Sequence, residues 1–186
     1  LRDRRCSAQD RPGGLREDKP VIAHAKPHAP LAVYSVKVAS DWVDYNGHMN
    51  DAAFAIVFSR SVDALMDRIG LDAASRKRTG NSLFTLQMML HYFKEAKEGD
   101  VVAVSCLLLE HDDKRMRVWL DMTDAGGERL AASEQLLMSV ALSDGAPRAA
   151  PWGFETLAAL EALQKLHASL PRPPQAGVGV AMTRRE

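Results

Sequence analysis

The residues of this chain best suited to chemistry fall in one short run, Asp41-Trp42-Val43-Asp44-Tyr45-Asn46-Gly47-His48-Met49-Asn50-Asp51. It combines carboxylates, an imidazole, two amides and two large aromatic rings with a glycine at which the backbone can turn. A carboxylate such as Asp44 can act as a general base toward water or as a nucleophile toward an electrophilic carbon. The run leads directly into a helical pattern. The free N–H groups and positive dipole of that helix, beginning near Asp51, could hold a developing negative charge. Taken alone, each residue also has a plainer reading. Asp44 would cap an exposed turn, Asn50 would cap the helix, and Asp51 would complement the helix dipole.

The elements that must position this run follow from hydrophobic spacing. Tyr34, Val36 and Val38 alternate with Ser35 and Lys37, the period of a half-buried strand. After the loop, Ala55, Phe58, Val62, Leu65, Met66 and Ile69 recur at helical spacing, with Asp51 near the start and Gly70 at the end. Residues 71–81 read as a short polar turn of helix and a loop closed by Gly80-Asn81. Leu83–Lys94 is strand-like, and the chain then turns through Gly99. Val101–Leu109 is nearly all apolar and reads as a central strand. Asp112-Asp113-Lys114 turns the chain back, and Met116, Val118, Leu120 and Met122 alternate with Arg115, Arg117, Trp119 and Asp121. Gly126-Gly127 makes the next turn before a last strand through Leu130, Leu136, Met138 and Val140. Pro151 and Gly153 precede a second helix carrying Leu157, Leu160, Leu163 and Leu166.

One strand, a long helix and four further strands on short turns predict an α+β fold. The turns predict that the last four strands pair as antiparallel neighbours in chain order, with the long helix over one face. Residues 1–30, rich in Gly, Pro, Arg and Asp, read as a disordered leader, 31–173 as one domain, and 174–186 as a flexible tail.

The bulk numbers narrow the function. The 186 residues are 46% hydrophobic and 26% charged, with 24 basic against 24 acidic side chains. Such a balance points to no nucleic-acid or membrane partner, and no stretch approaches the ~20 apolar residues that span a bilayer. Cys6 lies in the polar leader and Cys106 in an apolar strand, so the expectation is no disulfide and a reducing cytoplasm. The histidines at 24, 28, 48, 91, 111 and 167 show no ligand spacing. No metal or cofactor is expected.

The loop resembles that of the 4-hydroxybenzoyl-CoA thioesterase family of hot-dog proteins, in which an Asp stands three residues before a Gly and the helix starts soon after. Asp44 and Gly47 match. The closer resemblance is to the betainyl-CoA thioesterases of bacterial carnitine breakdown, which carry a similar loop and a helix matched here by Val57-Phe58-Ser59, Asp63 and Ile69 through Asp72. It extends over roughly residues 33–173 through Leu83-Phe84-Thr85-Leu86, Glu95, Gly99-Asp100, Asp113-Lys114-Arg115, Glu134 and Leu170-Pro171-Arg172-Pro173. One stretch departs. Gln87-Met88-Met89 stands where that pattern has a Glu and a Thr or His, so the substrate here can differ.

The resemblance implies a hot-dog fold, a curved five-stranded antiparallel sheet wrapped around the long helix, and a cofactor-independent hydrolase of a small acyl-CoA. Asp44 would activate water or attack the thioester to form a mixed anhydride. Backbone N–H groups from about Asn50 to Ala52 would hold the oxyanion, and Gly47 would let the loop turn. His48 would orient the loop, contact CoA or polarise the site, or serve only as a structural hydrogen-bond partner. A betainyl group carries a quaternary ammonium, which aromatic faces hold by cation–π contact. Trp42, Tyr45 and Phe54 are the candidates, together with Trp119; filling a small core is their plainer role. Gln87 would line the acyl pocket. Glu134 is either a site residue or a polar group on a sheet face or dimer contact. Lys94, Lys114, Arg115 and Arg117 either meet CoA phosphates or form solvated faces. The assembly implied is a homodimer or a dimer of dimers. The alternatives are a general short-chain or aromatic acyl-CoA thioesterase and a non-catalytic acyl-CoA-binding module, against which the retained Asp44 argues.

Overall fold

Helix α1, Asp51–Arg68, begins where the sequence supplies a cap. Asn50 is extended, and its side-chain oxygen accepts from the Ala53 N–H at 2.8 Å. In this computed structural model, which describes residues 28–142 and 146–180, α1 buries Phe54, Val57, Phe58, Val62, Leu65 and Met66 along one face. That face packs against the concave side of a curved antiparallel sheet, where Met116, Val118, Leu120 and Met122 of one central strand are almost fully buried. Each such side chain contributes about 1.5–3 kcal/mol on leaving water, so the helix and sheet fix each other.

The strands are β1 (Leu31–Lys37), β2 (Asn81–Tyr92), β3 (Val101–His111), β4 (Arg115–Thr123), β5 (Arg129–Ala141) and β6 (Arg148–Ala149), with short helix α2 (Ala73–Thr79) and helix α3 (Phe154–His167). Two expectations need correction. The sheet has six strands rather than five, because β6 pairs with Val140 and Ala141 of β5. The spatial order is β1-β3-β4-β5-β2, so β2 and β3 are not neighbours. β2 crosses to the far edge and pairs with β5 along its length, while β1 takes the place beside β3. The turn signal at Gly99 marks a change of direction but cannot encode which strand lies beside which.

That crossing determines where the loop sits. The connection from β2 to β3 leaves the β5 edge with the Phe93 and Lys94 N–H groups on Leu130 O and reaches the β1 edge with Gly99 N–H on Val38 O. Between those points it spans the end of the half-barrel and meets the Asp44 loop.

Helix α3 adds Leu160 and Leu163 to the core. It also covers β3 beyond Cys106, the last β3 residue that β1 pairs: His167 Nδ1 accepts from the Leu108 N–H at 3.0 Å. On the convex face, Leu107, Leu109, Trp119 and Ala132 are buried beneath Leu170 and Ala176. Residues 174–180, expected to begin a free tail, run over this face, where the Gly177 N–H donates to Glu134 at 2.7 Å. Residues 1–27 of the expected leader and 181–186 of the expected tail lie outside the described residues.

Candidate active site

Asp44 is exposed, and its carboxylate organises its own loop. One oxygen accepts from the Asn46 N–H at 2.8 Å and the His48 N–H at 3.2 Å, and the other from the Asn46 side-chain amide at 3.3 Å. Its backbone N–H donates to His48 O and its carbonyl accepts from the Gly47 N–H, both at 2.9 Å. The chain can close this tightly because Gly47 has φ +77°, with open space around its would-be Cβ; glycine serves conformation there, not packing. Partial desolvation works to raise the Asp44 pKa. The N–H groups of Asn46 and His48, the Asn46 amide and the nearby His48 ring outweigh it and hold the carboxyl below its usual value.

The back of the loop is pinned to the β2–β3 connection. The Met49 N–H donates to Ala96 O at 2.7 Å, His48 bridges to Lys97, and His48 Nε2 lies 3.1 Å from Glu95 Oε2. On the other side, the Asn50 N–H donates to Trp42 O at 2.9 Å. Glu95 did not stand out as a site residue in sequence because it lies in a segment that reads as a plain turn. Its place among the residues carrying the family resemblance was the one available signal.

The helix terminus beside the loop offers fewer donors than the sequence suggests. Of the candidate oxyanion donors, the Asn50 N–H is engaged by Trp42 O, and the Ala52 N–H by Asp51 Oδ1 at 2.8 Å. The Asp51 N–H alone has no acceptor among the described residues.

The candidate substrate contacts are dispersed. Trp42 is buried, and the Arg60 guanidinium already sits over its ring, 5.1 Å from the centroid. Phe54 is also buried and packs edge-on against Tyr92, with ring centroids 5.4 Å apart. Tyr45, 97% exposed, is the one aromatic of this group open to solvent. Trp119 is buried in the convex-face cluster. Gln87 lies on that face too, lining a cleft of about 640 Å³ with Arg117, Glu134 and Gly177; Asp44 is not among its walls. Within one protomer, then, the structure brings together Asp44, Gly47, His48, Asn50 and Asp51 but leaves Gln87 apart.

Several other candidates have ionic partners within the protomer. Glu134, on the convex sheet face, pairs with Arg117 (3.2 Å) and accepts from the Gly177 N–H. Arg117 also pairs with Glu110 (2.9 Å), Lys94 with Glu128, Lys114 with Asp113 (3.9 Å) and Arg115 with Asp112 (2.6 Å). Hydrogen bonds from the Lys114 N–H and the Arg115 side chain hold Asp112 down at about 2. Lys94, Lys114, Arg115 and Arg117, for which contact with CoA phosphate and a solvated face were both open, each face a carboxylate within the protomer. Among the described residues, no group of three or more His, Cys, Asp or Glu is placed to hold a metal ion, and no helix is long and apolar enough to cross a membrane.

Comparison with known proteins places this geometry in context. The family model described as the thioesterase-like superfamily matches residues 38–163. The chain is 48% identical over 150 residues to the betainyl-CoA thioesterase of Pseudomonas aeruginosa, covering 80% of this chain and 92% of that protein. It is 34% identical over 156 residues to the L-carnitine dehydrogenase/betainyl-CoA thioesterase of Rhizobium meliloti, 83% of this chain but 31% of that longer protein. A Pseudomonas putida structure assigned as a thioesterase superposes with a TM-score of 0.73 at 42% identity, over 84% of this chain and 99% of that one. A Staphylococcus aureus protein solved in complex with CoA gives 0.76 at 25% identity, over 86% and 99%.

Proposed function

The chain belongs to the thioesterase-like superfamily, and from that premise we propose that it hydrolyses the thioester of betainyl-CoA to betaine and CoA. The observation that carries the substrate is the 48% identity to the betainyl-CoA thioesterase of Pseudomonas aeruginosa over nearly all of that protein. Asp44 supplies the catalytic carboxylate. As a base it takes a proton from water while the water oxygen bonds to the acyl carbon; as a nucleophile it bonds to that carbon directly and water later cleaves the mixed anhydride. Either route breaks the C–S bond and releases CoA thiolate. Asp44 is ionised at neutral pH, as both routes need, and the shift of its pKa is further downward. The uncommitted Asp51 N–H at the start of α1 is the candidate oxyanion donor. Tyr45 is the candidate face for the quaternary ammonium.

The working unit is a homodimer. Strand β2 is twelve residues long, occupies a sheet edge, and leaves Phe84, Leu86 and Met88 41–46% exposed. A long apolar edge strand is a pairing surface. A second copy on it would supply walls for a site that stands open in one protomer, and pairs of dimers are compatible with this. A reducing compartment such as the cytoplasm suits the free, buried thiol of Cys106, which burial pushes up to about 12.

One observation favours a second reading, a short uncharged acyl group. The Trp42 ring is taken by Arg60, which leaves few aromatic faces for a cation. Thiol release from a panel of acyl-CoAs separates the two. Betainyl-CoA should have the highest kcat/KM; faster hydrolysis of its neutral isostere 4,4-dimethylvaleryl-CoA would select the second reading.

A further inference from the structure

We infer that Glu95 is a positioning residue for this reaction: its carboxylate holds the His48 ring and, through His48, the loop that aims Asp44. The inference rests on the reading of Asp44 as the catalytic carboxylate.

His48 is the hinge between the two. Its backbone N–H donates to Asp44 Oδ1, its carbonyl accepts from the Asp44 N–H at 2.9 Å, and its ring reaches Glu95 at 3.1 Å. Main-chain bonds, from the Met49 N–H to Ala96 O and between His48 and Lys97, pin the back of the loop, so what Glu95 adds is a hold on the His48 ring and the exposed tip beside it. Asp44, Tyr45, Asn46 and Gly47 are all exposed, and the bonds they make are mostly to one another. Glu95 stands on firmer ground. The residue before it donates to Leu130 O at 3.0 Å, and Ala96 after it is 1% exposed and accepts from the Met49 N–H. A carboxylate on this connection can therefore fix the ring of the residue whose backbone bonds Asp44.

The pair also sets the ring's hydrogen. Accepting at Nε2, Glu95 keeps the proton on that nitrogen. The pair is largely solvent-exposed, with Glu95 67% and His48 32% exposed. Exposed pairs add little to folding stability, so loss of this one should register in rate rather than in melting temperature.

The test is a double-mutant cycle on the full chain with the best acyl-CoA substrate, combined with 15N NMR of the imidazole. Glu95→Ala should lower kcat about tenfold to a hundredfold, the cost typical of a misplaced reacting group, with KM changed less than about threefold and the melting temperature retained. Glu95→Gln, which keeps an acceptor, should recover most of the rate. His48→Ala combined with Glu95→Ala should be no slower than His48→Ala alone. In the NMR spectrum the proton should reside on Nε2 of His48 in the unmodified protein and exchange between both nitrogens in Glu95→Ala. Wild-type kcat in Glu95→Ala, additive losses in the double variant, or a His48 ring that behaves as free imidazole in the unmodified protein would each overturn the inference. Failure of the Asp44 reading is separately visible, as full turnover in Asp44→Asn with the His48 signature intact.

Discussion

Replacing Asp44 by Asn isolates charge from structure unusually well at this position. The substituted amide keeps an oxygen that can accept from the Asn46 and His48 N–H groups now held at 2.8 and 3.2 Å. The one contact it reverses is that with the Asn46 side-chain amide at 3.3 Å, an exposed interaction that water can replace. The loop should therefore keep its turn, and the melting temperature should change little. Turnover should not survive, because an amide neither accepts a proton from water nor attacks a thioester. Loss of a positioned acid–base group costs about 10²–10⁴ in kcat. The acid limb of the rate profile gives a second signature. The folded pKa of Asp44 lies below 3.8, so its active, ionised form persists as pH falls and is lost only as pH passes through that lowered value. Between pH 7 and 5, Asp44 itself should cause no loss of kcat/KM in the unmodified enzyme. The assay is continuous release of CoA thiol from betainyl-CoA, run beside thermal melts of both proteins. An Asp44→Asn protein that melts normally and turns over within about threefold of the unmodified enzyme, far short of the expected loss, would refute the catalytic assignment.

The aromatic residues should separate by burial. Trp42→Leu removes a core ring and should cost about 2–3 kcal/mol of stability, seen in denaturant melts. Tyr45→Leu should leave stability intact and raise KM for betainyl-CoA about two- to thirtyfold; an equal rise for the neutral isostere would show that no cation–π contact is involved. Light scattering should find a dimer for the unmodified chain, and Phe84→Lys with Leu86→Lys on the β2 edge should give monomers of low activity; a fully active monomer would contradict the assembly. Burial lowers the pKa of His167 below 6.5, so the unfolded chain binds its proton first as pH falls. Its stabilising contribution is complete above pH 6.5 and declines below it, by about 1.4 kcal/mol per pH unit until the lowered folded value is reached. His167→Gln, which can still accept from the Leu108 N–H, should show a flatter stability profile between pH 6.5 and 5; an unchanged slope would mean that other groups carry the acid sensitivity.

The amino-acid sequence by itself determined the parts whose causes are local. The span of α1 follows from side chains three and four residues apart, and its start from an Asn50 cap whose partner is three residues on. The Asp44 loop is likewise closed by hydrogen bonds spanning no more than four residues and by one glycine at positive φ. Those features were legible because the groups that interact are close in the chain. The tertiary structure decided what depends on residues far apart. A strand's alternation states which face is buried but not which strand lies beside it, so the pairing of β2 with β5 and the placing of Gln87 on the convex face had no local signal. The same holds for Arg60 over Trp42 and for Glu95 against His48, forty-seven positions away. Each pair is made only when the β2–β3 connection and α1 are folded against the loop, because both halves of the contact sit on backbone that the sheet and helix position independently.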